Sequence, residues 1–175
     1  GFDLLWRSRD AGATPAGPIK LPTLKVLKDI HAGVMRSEGA LNPTLTVGLK
    51  GSEGPLTHHK HRDCGSFTVQ ARNERLLVDP GYGAGEHNVV TFGQHGPNRS
   101  GAVITDAVER GRLRSAVIDS TLAYAGLAGR VRRSITMVGD RWVVVVDDIK
   151  PLPTTKRPVR LLFHVGERSE ERRVG

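Results

Sequence analysis

Segments rich in β-branched residues recur about every ten residues from Ala32 onward, and Gly, Pro, Asn or Asp separates one from the next. This rhythm is typical of short antiparallel strands that are joined by turns. Ten strands are predicted, at residues 32–37, 45–50, 66–72, 75–79, 88–92, 102–109, 113–119, 131–138, 142–149 and 159–165. The pattern predicts an all-β fold, either a sandwich or a barrel.

One of these strands, WVVVVDDI at 142–149, is apolar at successive positions rather than at alternate ones. Such a strand is expected at the centre of a sheet that is covered on both faces. We also expect Trp142 and Phe163 to lie in the core rather than on a sugar-binding surface.

The length and composition indicate one domain with many turns. A chain of 175 residues can bury one core, and 21 glycines and 10 prolines favour short elements. Residues 1–30 mix Pro, Gly and charge, so we predict a linker there and a domain over residues 31–175. No apolar run reaches the roughly 18 to 20 residues that cross a bilayer, and no membrane partner is expected.

The net charge of +8 favours a polyanionic partner, which includes nucleic acid, anionic lipid and acidic polysaccharide. Only 5% of the residues are aromatic and no nucleic-acid-binding motif is present, so no nucleic-acid partner is expected. The single cysteine, Cys64, excludes an internal disulfide and a thiolate metal cluster. Any metal site must therefore use histidine and carboxylate ligands.

Four of the seven histidines, at positions 58, 59, 61 and 87, fall within thirty residues. In an extended strand His59, His61 and Asp63 would share one face. A following strand, RLLVD, would deliver Asp79, and the turn and glycines after it would return His87 to the same place. His61, Asp79 and His87 would then form a two-nitrogen, one-oxygen set for Zn²⁺ or another divalent metal, with a fourth position for water or substrate. Taken singly, the H-x-H pair is also explained as surface residues and the D-P-G as an ordinary turn.

Three ordered motifs carry a resemblance to a known family. They are H-x-H-x-D-x-G-S-F at 59–67, L-L-V-D-P-G at 76–81 and H-N-x-V at 87–90, and a D-x-x-x-x-Y segment follows at 119–124. Over roughly residues 32–165 the sequence resembles the heparinase II/III-like family of polysaccharide lyases. The resemblance implies a two-layer antiparallel β-sandwich of about ten strands that lacks the family's N-terminal α/α toroid. Residues 1–30 would be the linker from that upstream helical domain.

The resemblance also implies roles for the site residues. His61, Asp79 and His87 correspond to the metal ligands, and His59 corresponds to a catalytic histidine that faces the substrate cleft. Asp63 would orient a ligand imidazole, as carboxylates commonly do beside metals. Arg62 and Arg99 are predicted, from charge alone, to contact acidic groups of the substrate.

The activity implied is that of a carbon-oxygen lyase in glycosaminoglycan degradation and carbohydrate metabolism, which cleaves a uronic-acid-containing polysaccharide by β-elimination. In this family the toroid supplies a catalytic tyrosine, so the chain by itself is expected to be inactive. A periplasmic or secreted location is implied, and homodimer formation stays open.

Two alternatives follow from the same residues. The first is a non-catalytic glycan-binding or structural β-sandwich in which the histidines have no chemical role. The second is a cupin-like metal enzyme, since H-x-H in a β-barrel also opens the cupin motif. That motif requires a glutamate three or four residues further on, where this chain has Cys64, Gly65 and Ser66.

Overall fold

A computed structural model of the chain describes residues 20–40, 42–52, 60–82 and 84–166. Within these ranges the chain forms eleven strands and three short 3-10 helices. The strands are β1 (Leu24–Leu27), β2 (Ala32–Arg36), β3 (Leu45–Lys50), β4 (Phe67–Ala71), β5 (Glu74–Leu77), β6 (Val90–Phe92), β7 (Val103–Arg110), β8 (Leu113–Asp119), β9 (Ala128–Val138), β10 (Trp142–Pro151) and β11 (Val159–Leu161). The 3-10 helices are Lys28–Ile30, Ala84–Glu86 and Thr121–Tyr124. None of the described helices is long and apolar enough to span a membrane.

The strands form three antiparallel sheets. The first sheet has the order β1-β2-β3-β4-β5, the second has the order β10-β9-β8-β7, and β11 pairs with β6 in a two-stranded sheet. The predicted all-β sandwich is confirmed, and each of the ten predicted strands corresponds to one of β2 to β11.

Strand β1 lies in the segment that the sequence assigns to a linker. Its four residues pair antiparallel with β2, from Leu24 opposite Met35 to Leu27 opposite Ala32. The pairing is favoured because alternate residues of LKVL turn towards the core, where Leu24 packs. The sandwich therefore includes residues on the N-terminal side of Ala32.

The core lies between the first and second sheets. Strand β3 buries every second residue, and β8 and β9 do the same from the opposite layer. Inward residues such as Met35, Val47, Ile118, Ile135 and Met137 are fully buried. Because alternate side chains of a strand point to opposite faces, the outward residues of β8 and β9 stay accessible.

Strand β10 is not the covered central strand that its sequence predicts. It lies at the edge of the second sheet, and its residues alternate between exposed and half-buried. The outward residues Trp142, Val144 and Val146 are 68%, 49% and 57% exposed. Phe163 is also 44% exposed, so the expectation of core positions for Trp142 and Phe163 is wrong. The sequence does not reveal this alternation in burial, because valine occupies both faces of the strand.

Candidate functional site

The segment that carries His61 and Asp63 is a loop rather than an extended strand. Ser66 donates its amide to the Asp63 carbonyl at 2.9 Å, and Gly65 donates to the Lys50 carbonyl at 2.9 Å. Gly65 has φ +84°, and a Cβ there would lie 2.6 Å from Ser120 Oγ. The predicted strand face shared by positions 61 and 63 is therefore wrong, because the chain turns at Gly65 before β4 begins.

A buried hydrogen-bonded set follows from this turn. Asp79, two residues beyond β5, contacts His87 Nδ1 through Oδ1 and accepts a 2.7 Å hydrogen bond from Ser66 Oγ through Oδ2. Ser66 Oγ in turn accepts a hydrogen bond from the backbone amide of Asn88 at 3.2 Å. Ser66 and His87 are 0% and 1% exposed. Both oxygens of the Asp79 carboxylate thus have partners, and they fix the His87 ring.

The short loop between Asp79 and His87 is closed by Glu86. The Tyr82 amide donates to Glu86 Oε2 at 2.8 Å. A Cβ on Gly81 would lie 2.3 Å from the Glu86 carboxyl carbon, so only glycine allows this approach. The predicted role of this turn in returning His87 towards Asp79 agrees with the geometry.

His61 lies beside the same ring. The centroids of the His61 and His87 rings are 5.4 Å apart, with 41° between their planes. The His61 ring also contacts the Tyr82 ring, with 4.0 Å between their centroids. The structure therefore brings the three predicted ligands, His61, Asp79 and His87, into one neighbourhood.

One atom of this neighbourhood lacks a partner. His87 Nε2 is buried and makes no hydrogen bond with any described residue. Leaving a buried polar atom unpaired costs about 1 to 3 kcal/mol, so the position favours an additional bonding partner. Among the described residues no group of three or more His, Cys, Asp or Glu is arranged to hold an ion. Two imidazoles and one carboxylate are donor groups that fit a divalent cation. In the structure, Asp79 contacts His87 and His87 lies beside His61, and these two contacts do not make a full ligand shell.

Asn88 joins four segments at the site. Its Nδ2 donates to the carbonyls of Phe67 and Val78 at 2.7 and 2.8 Å, and its Oδ1 accepts the His164 amide at 2.7 Å. The side chain is fully buried. Because Asn88 follows His87 directly, this clamp fixes the backbone that carries the imidazole.

A buried ion pair supports the site from the second sheet. Arg133 on β9 faces Asp147 on β10, with Nε to Oδ1 at 2.7 Å and Nη2 to Oδ2 at 3.1 Å. Arg133 Nη1 also donates to the carbonyls of Gly65 and Asn88, at 2.9 and 2.6 Å. The guanidinium therefore links the two loops that carry Ser66 and His87.

Two groups near the site are unsuited to acid-base chemistry at neutral pH. Burial, with a smaller contribution from Asp63, raises the pKa of the Cys64 thiol to about 12. Burial also raises the pKa of Tyr124 above its ordinary range, and its hydroxyl donates to the Val90 carbonyl at 2.6 Å. Both residues stay protonated at neutral pH, and we assign them a structural role rather than a catalytic one.

The remaining predicted residues lie elsewhere. His59 and His58 are outside the described residues. Within the described ranges the Asp63 carboxylate makes no hydrogen bond to an imidazole, and Asp79 makes that contact instead. Arg62 and Arg99 are exposed, and the Arg99 carbonyl accepts Ser52 Oγ at 3.1 Å.

An open cavity of about 720 Å³ adjoins Asp79 at the edge of the first sheet. Thr68, Gln70, Arg75 and His164 line it together with Asp79. His164 Nε2 is buried without a hydrogen-bond partner among the described residues. The cavity offers several hydrogen-bond donors and acceptors to a polar ligand beside the half-buried Asp79 carboxylate.

The sequence gives no role to four residues that build the site, namely Ser66, Asn88, Arg133 and Asp147. Ser66 and Asn88 belong to the motifs at 59–67 and 87–90, but their side chains are not expected metal ligands. A signal for Arg133 was present, since it interrupts the inward series Val131, Ile135 and Met137 of β9 with a charge. A charge at an inward position requires a buried partner.

Comparison with known proteins gives solved structures of similar fold. A heparinase III gene product matches with a TM-score of 0.71 at 18% identity, over 83% of this chain and 24% of that one. A crystal structure of heparinase III matches with a TM-score of 0.68 at 18% identity, over 83% of this chain and 25% of that one. Heparan sulfate lyase HepC from Pedobacter heparinus matches with a TM-score of 0.64 at 18% identity, over 73% and 22%. No family model matches the sequence, and no curated protein is significantly similar to it.

The chain therefore spans about a quarter of the length of these structures. The likeness extends over most of the chain at low identity. The chain has the fold of one segment of the heparinase III and heparan sulfate lyase structures, in agreement with the resemblance carried by its three motifs.

Proposed function

We propose that this chain is part of a polysaccharide lyase that cleaves an acidic, uronic-acid-containing polysaccharide by β-elimination. The observation that carries the proposal is the buried His87 imidazole, with Nδ1 on Asp79, an unpaired Nε2 and the His61 ring 5.4 Å away. The fold that the chain shares with heparan sulfate lyases supports the substrate class.

In this proposal His61, Asp79 and His87 hold a divalent cation, with Zn²⁺ the best match to two imidazoles and one carboxylate. The cation would fix the loop geometry and add positive charge beside the substrate. Ser66 and Asn88 keep the Asp79 carboxylate and the His87 backbone in place through their buried hydrogen bonds. The Arg133 guanidinium holds the carbonyls on either side of this set.

The reaction removes the proton from C5 of the uronic acid, forms the C4–C5 double bond and breaks the bond from C4 to the leaving oxygen, which takes up a proton. Neutralising the C6 carboxylate lowers the barrier because negative charge develops on it. We assign His59 to proton transfer or carboxylate neutralisation, as its motif position implies. The other proton-transfer group would come from the upstream helical domain, and activity would be located in the periplasm or outside the cell.

The first test is metal binding by the chain itself. Calorimetric titration with Zn²⁺ should give one site per chain, and His61→Ala and His87→Ala should each weaken binding at least about tenfold. His95→Ala is the matched control, because His95 is exposed and contacts Arg157 rather than the site. Circular dichroism shows whether the variants keep the fold. Wild-type protein that binds no divalent metal would sink the metal site and favour the non-catalytic sandwich.

The second test asks whether cleavage needs the helical domain as well as this chain. The isolated chain should release no unsaturated sugar from heparan sulfate, as measured by ultraviolet absorbance, whereas a protein that also carries the helical domain should do so. Turnover by the isolated chain would overturn the assignment of an essential group to the other domain.

A further inference from the structure

A basic groove lies on the outer face of the second sheet, opposite to the face that supports the candidate site. The cavity measures about 650 Å³. Arg130, Arg132 and Lys150 line it, and so do the aliphatic side chains of Val103 and Leu122. We call this surface the β9–β10 groove.

The charges of the β9–β10 groove are arranged at a cost to the fold. Arg130 and Lys150 lie directly opposite each other in the β9–β10 register. Like charges in this position are destabilising. Asp148 pairs with Arg130 at 2.8 Å, and Asp119 pairs with Arg132 at 2.7 Å. Three cations against two carboxylates leave the groove with an excess positive charge.

The groove also contains hydrogen-bond donors that no described residue accepts from. Arg130 and Arg132 each bind their carboxylate through Nε, and their Nη groups make no hydrogen bond with a described residue. Arg130 and Arg132 are 45% and 53% exposed. Guanidinium and ammonium donors in this state bind oxyanions by charge-assisted hydrogen bonds.

Aliphatic side chains also line the groove. Leu122 is 75% exposed, and among the groove's described lining residues there is no aromatic side chain. Aromatic platforms are what single-stranded nucleic acid uses for base stacking, so the groove does not suit it. A sugar ring that carries both C–H groups and an anionic substituent matches this mixture of cationic and aliphatic lining residues.

We propose that the β9–β10 groove is a second binding site, which holds a sulfate or carboxylate group of an acidic polysaccharide on the face away from the candidate site. The substrate class rests on the proposed function, whereas the site itself does not. It would anchor a long chain without taking part in cleavage.

The test compares two double variants that remove the same charge. Arg130→Gln with Lys150→Gln alters the groove, and Arg141→Gln with Lys156→Gln removes two exposed cations that do not line it. Binding of heparan sulfate, polygalacturonate and neutral dextran oligosaccharides is measured calorimetrically at fixed salt. The groove variant should bind the acidic ligands about tenfold or more weakly, since charged hydrogen bonds are lost, and the control should change less than about twofold.

Polygalacturonate carries carboxylate but no sulfate, whereas heparan sulfate carries both; weaker binding of either ligand by the groove variant than by the control supports the site. Equal loss in both double variants would overturn it, as would wild-type binding of dextran with the same affinity. The groove variant should bind Zn²⁺ as wild type does, because neither Arg130 nor Lys150 is one of the proposed metal ligands. Failure of the groove and failure of the metal site are thus separate results.

Discussion

Two adjacent arginines of β9 form similar ion pairs in opposite surroundings. Arg133 Nε lies 2.7 Å from Asp147, and Arg132 Nε lies 2.7 Å from Asp119. Each pair joins residues that are directly opposite in the sheet register. Arg133 and Asp147 are 4% and 5% exposed, whereas Arg132 and Asp119 are 53% and 18% exposed.

The difference shows what burial does to a charge. Inside, Arg133 is held by a carboxylate and two carbonyls, so it can only position the loops around it. Outside, Arg132 keeps free donors that solvent or a ligand can reach. A strand with period-2 alternation thus supports the candidate site on one face and presents the β9–β10 groove on the other.

The largest expected effect comes from breaking the inner pair. Arg133→Met should lower the free energy of unfolding by about 3 to 5 kcal/mol, because it leaves Asp147 buried without its cation. It should also weaken Zn²⁺ binding, since the carbonyls of Gly65 and Asn88 lose their common donor. Urea denaturation and calorimetric titration measure the two effects.

The outer pair supplies the control. Arg132→Gln should cost no more than about 1 kcal/mol, as exposed pairs generally do. Adding Asp147→Leu to Arg133→Met should restore much of the stability but not the metal affinity, because an apolar pair fills the space without holding the loops. Similar losses for Arg132→Gln and Arg133→Met would contradict the contrast between the two faces.

The contrast also explains how much the sequence could predict. Strand positions follow from short-range patterns, so β2 to β11 are predicted correctly. The edge position of β10 is not, because a valine run looks the same whether or not both faces are covered. Strand order depends on long-range pairing, and the sequence of one strand does not record it.

The candidate site is predicted in part for a similar reason. The motifs name His61, Asp79 and His87, which the fold places close together. The loop at 61–66 is mispredicted because its turn depends on the close approach of Gly65 to Ser120, a contact between distant residues. The metal-binding role of these side chains and the catalytic role of His59 remain predictions.

A second effect should come from the polar clamp on the inner side. Asn88→Ala removes three hydrogen bonds and leaves two carbonyls and one amide without their partner, at a cost of about 2 to 4 kcal/mol. Urea denaturation measures it. Ser115→Ala is the control, because the bond between Ser115 and Thr136 on the outer face should contribute less than about 1 kcal/mol. A cost for Asn88→Ala no larger than that of the control would show that the clamp contributes little.

The smallest expected effect concerns the outer pair of Asp119 and Arg132. Desolvation acts to raise the pKa of Asp119, but hydrogen bonds from Thr121 and the Arg132 guanidinium outweigh it and hold the pKa below its ordinary value of 3.8. A carboxyl whose pKa is lowered by folding adds stability above its unfolded pKa, and this contribution is lost as the pH falls through the folded pKa. Asp119→Asn should therefore destabilise the protein by no more than about 1 kcal/mol at neutral pH, with the difference from wild type closing below about pH 4.

Urea denaturation of wild type and Asp119→Asn across this pH range gives the difference, since groups remote from Asp119 titrate alike in both proteins. In an Arg132→Gln background the effect should shrink, because the ion pair is one of its causes. A difference that grows towards acid would mean that the folded state raises the Asp119 pKa. The Asp119 carboxylate would then destabilise the fold, and its hydrogen bonds and ion pair with Arg132 would be too weak to offset its desolvation.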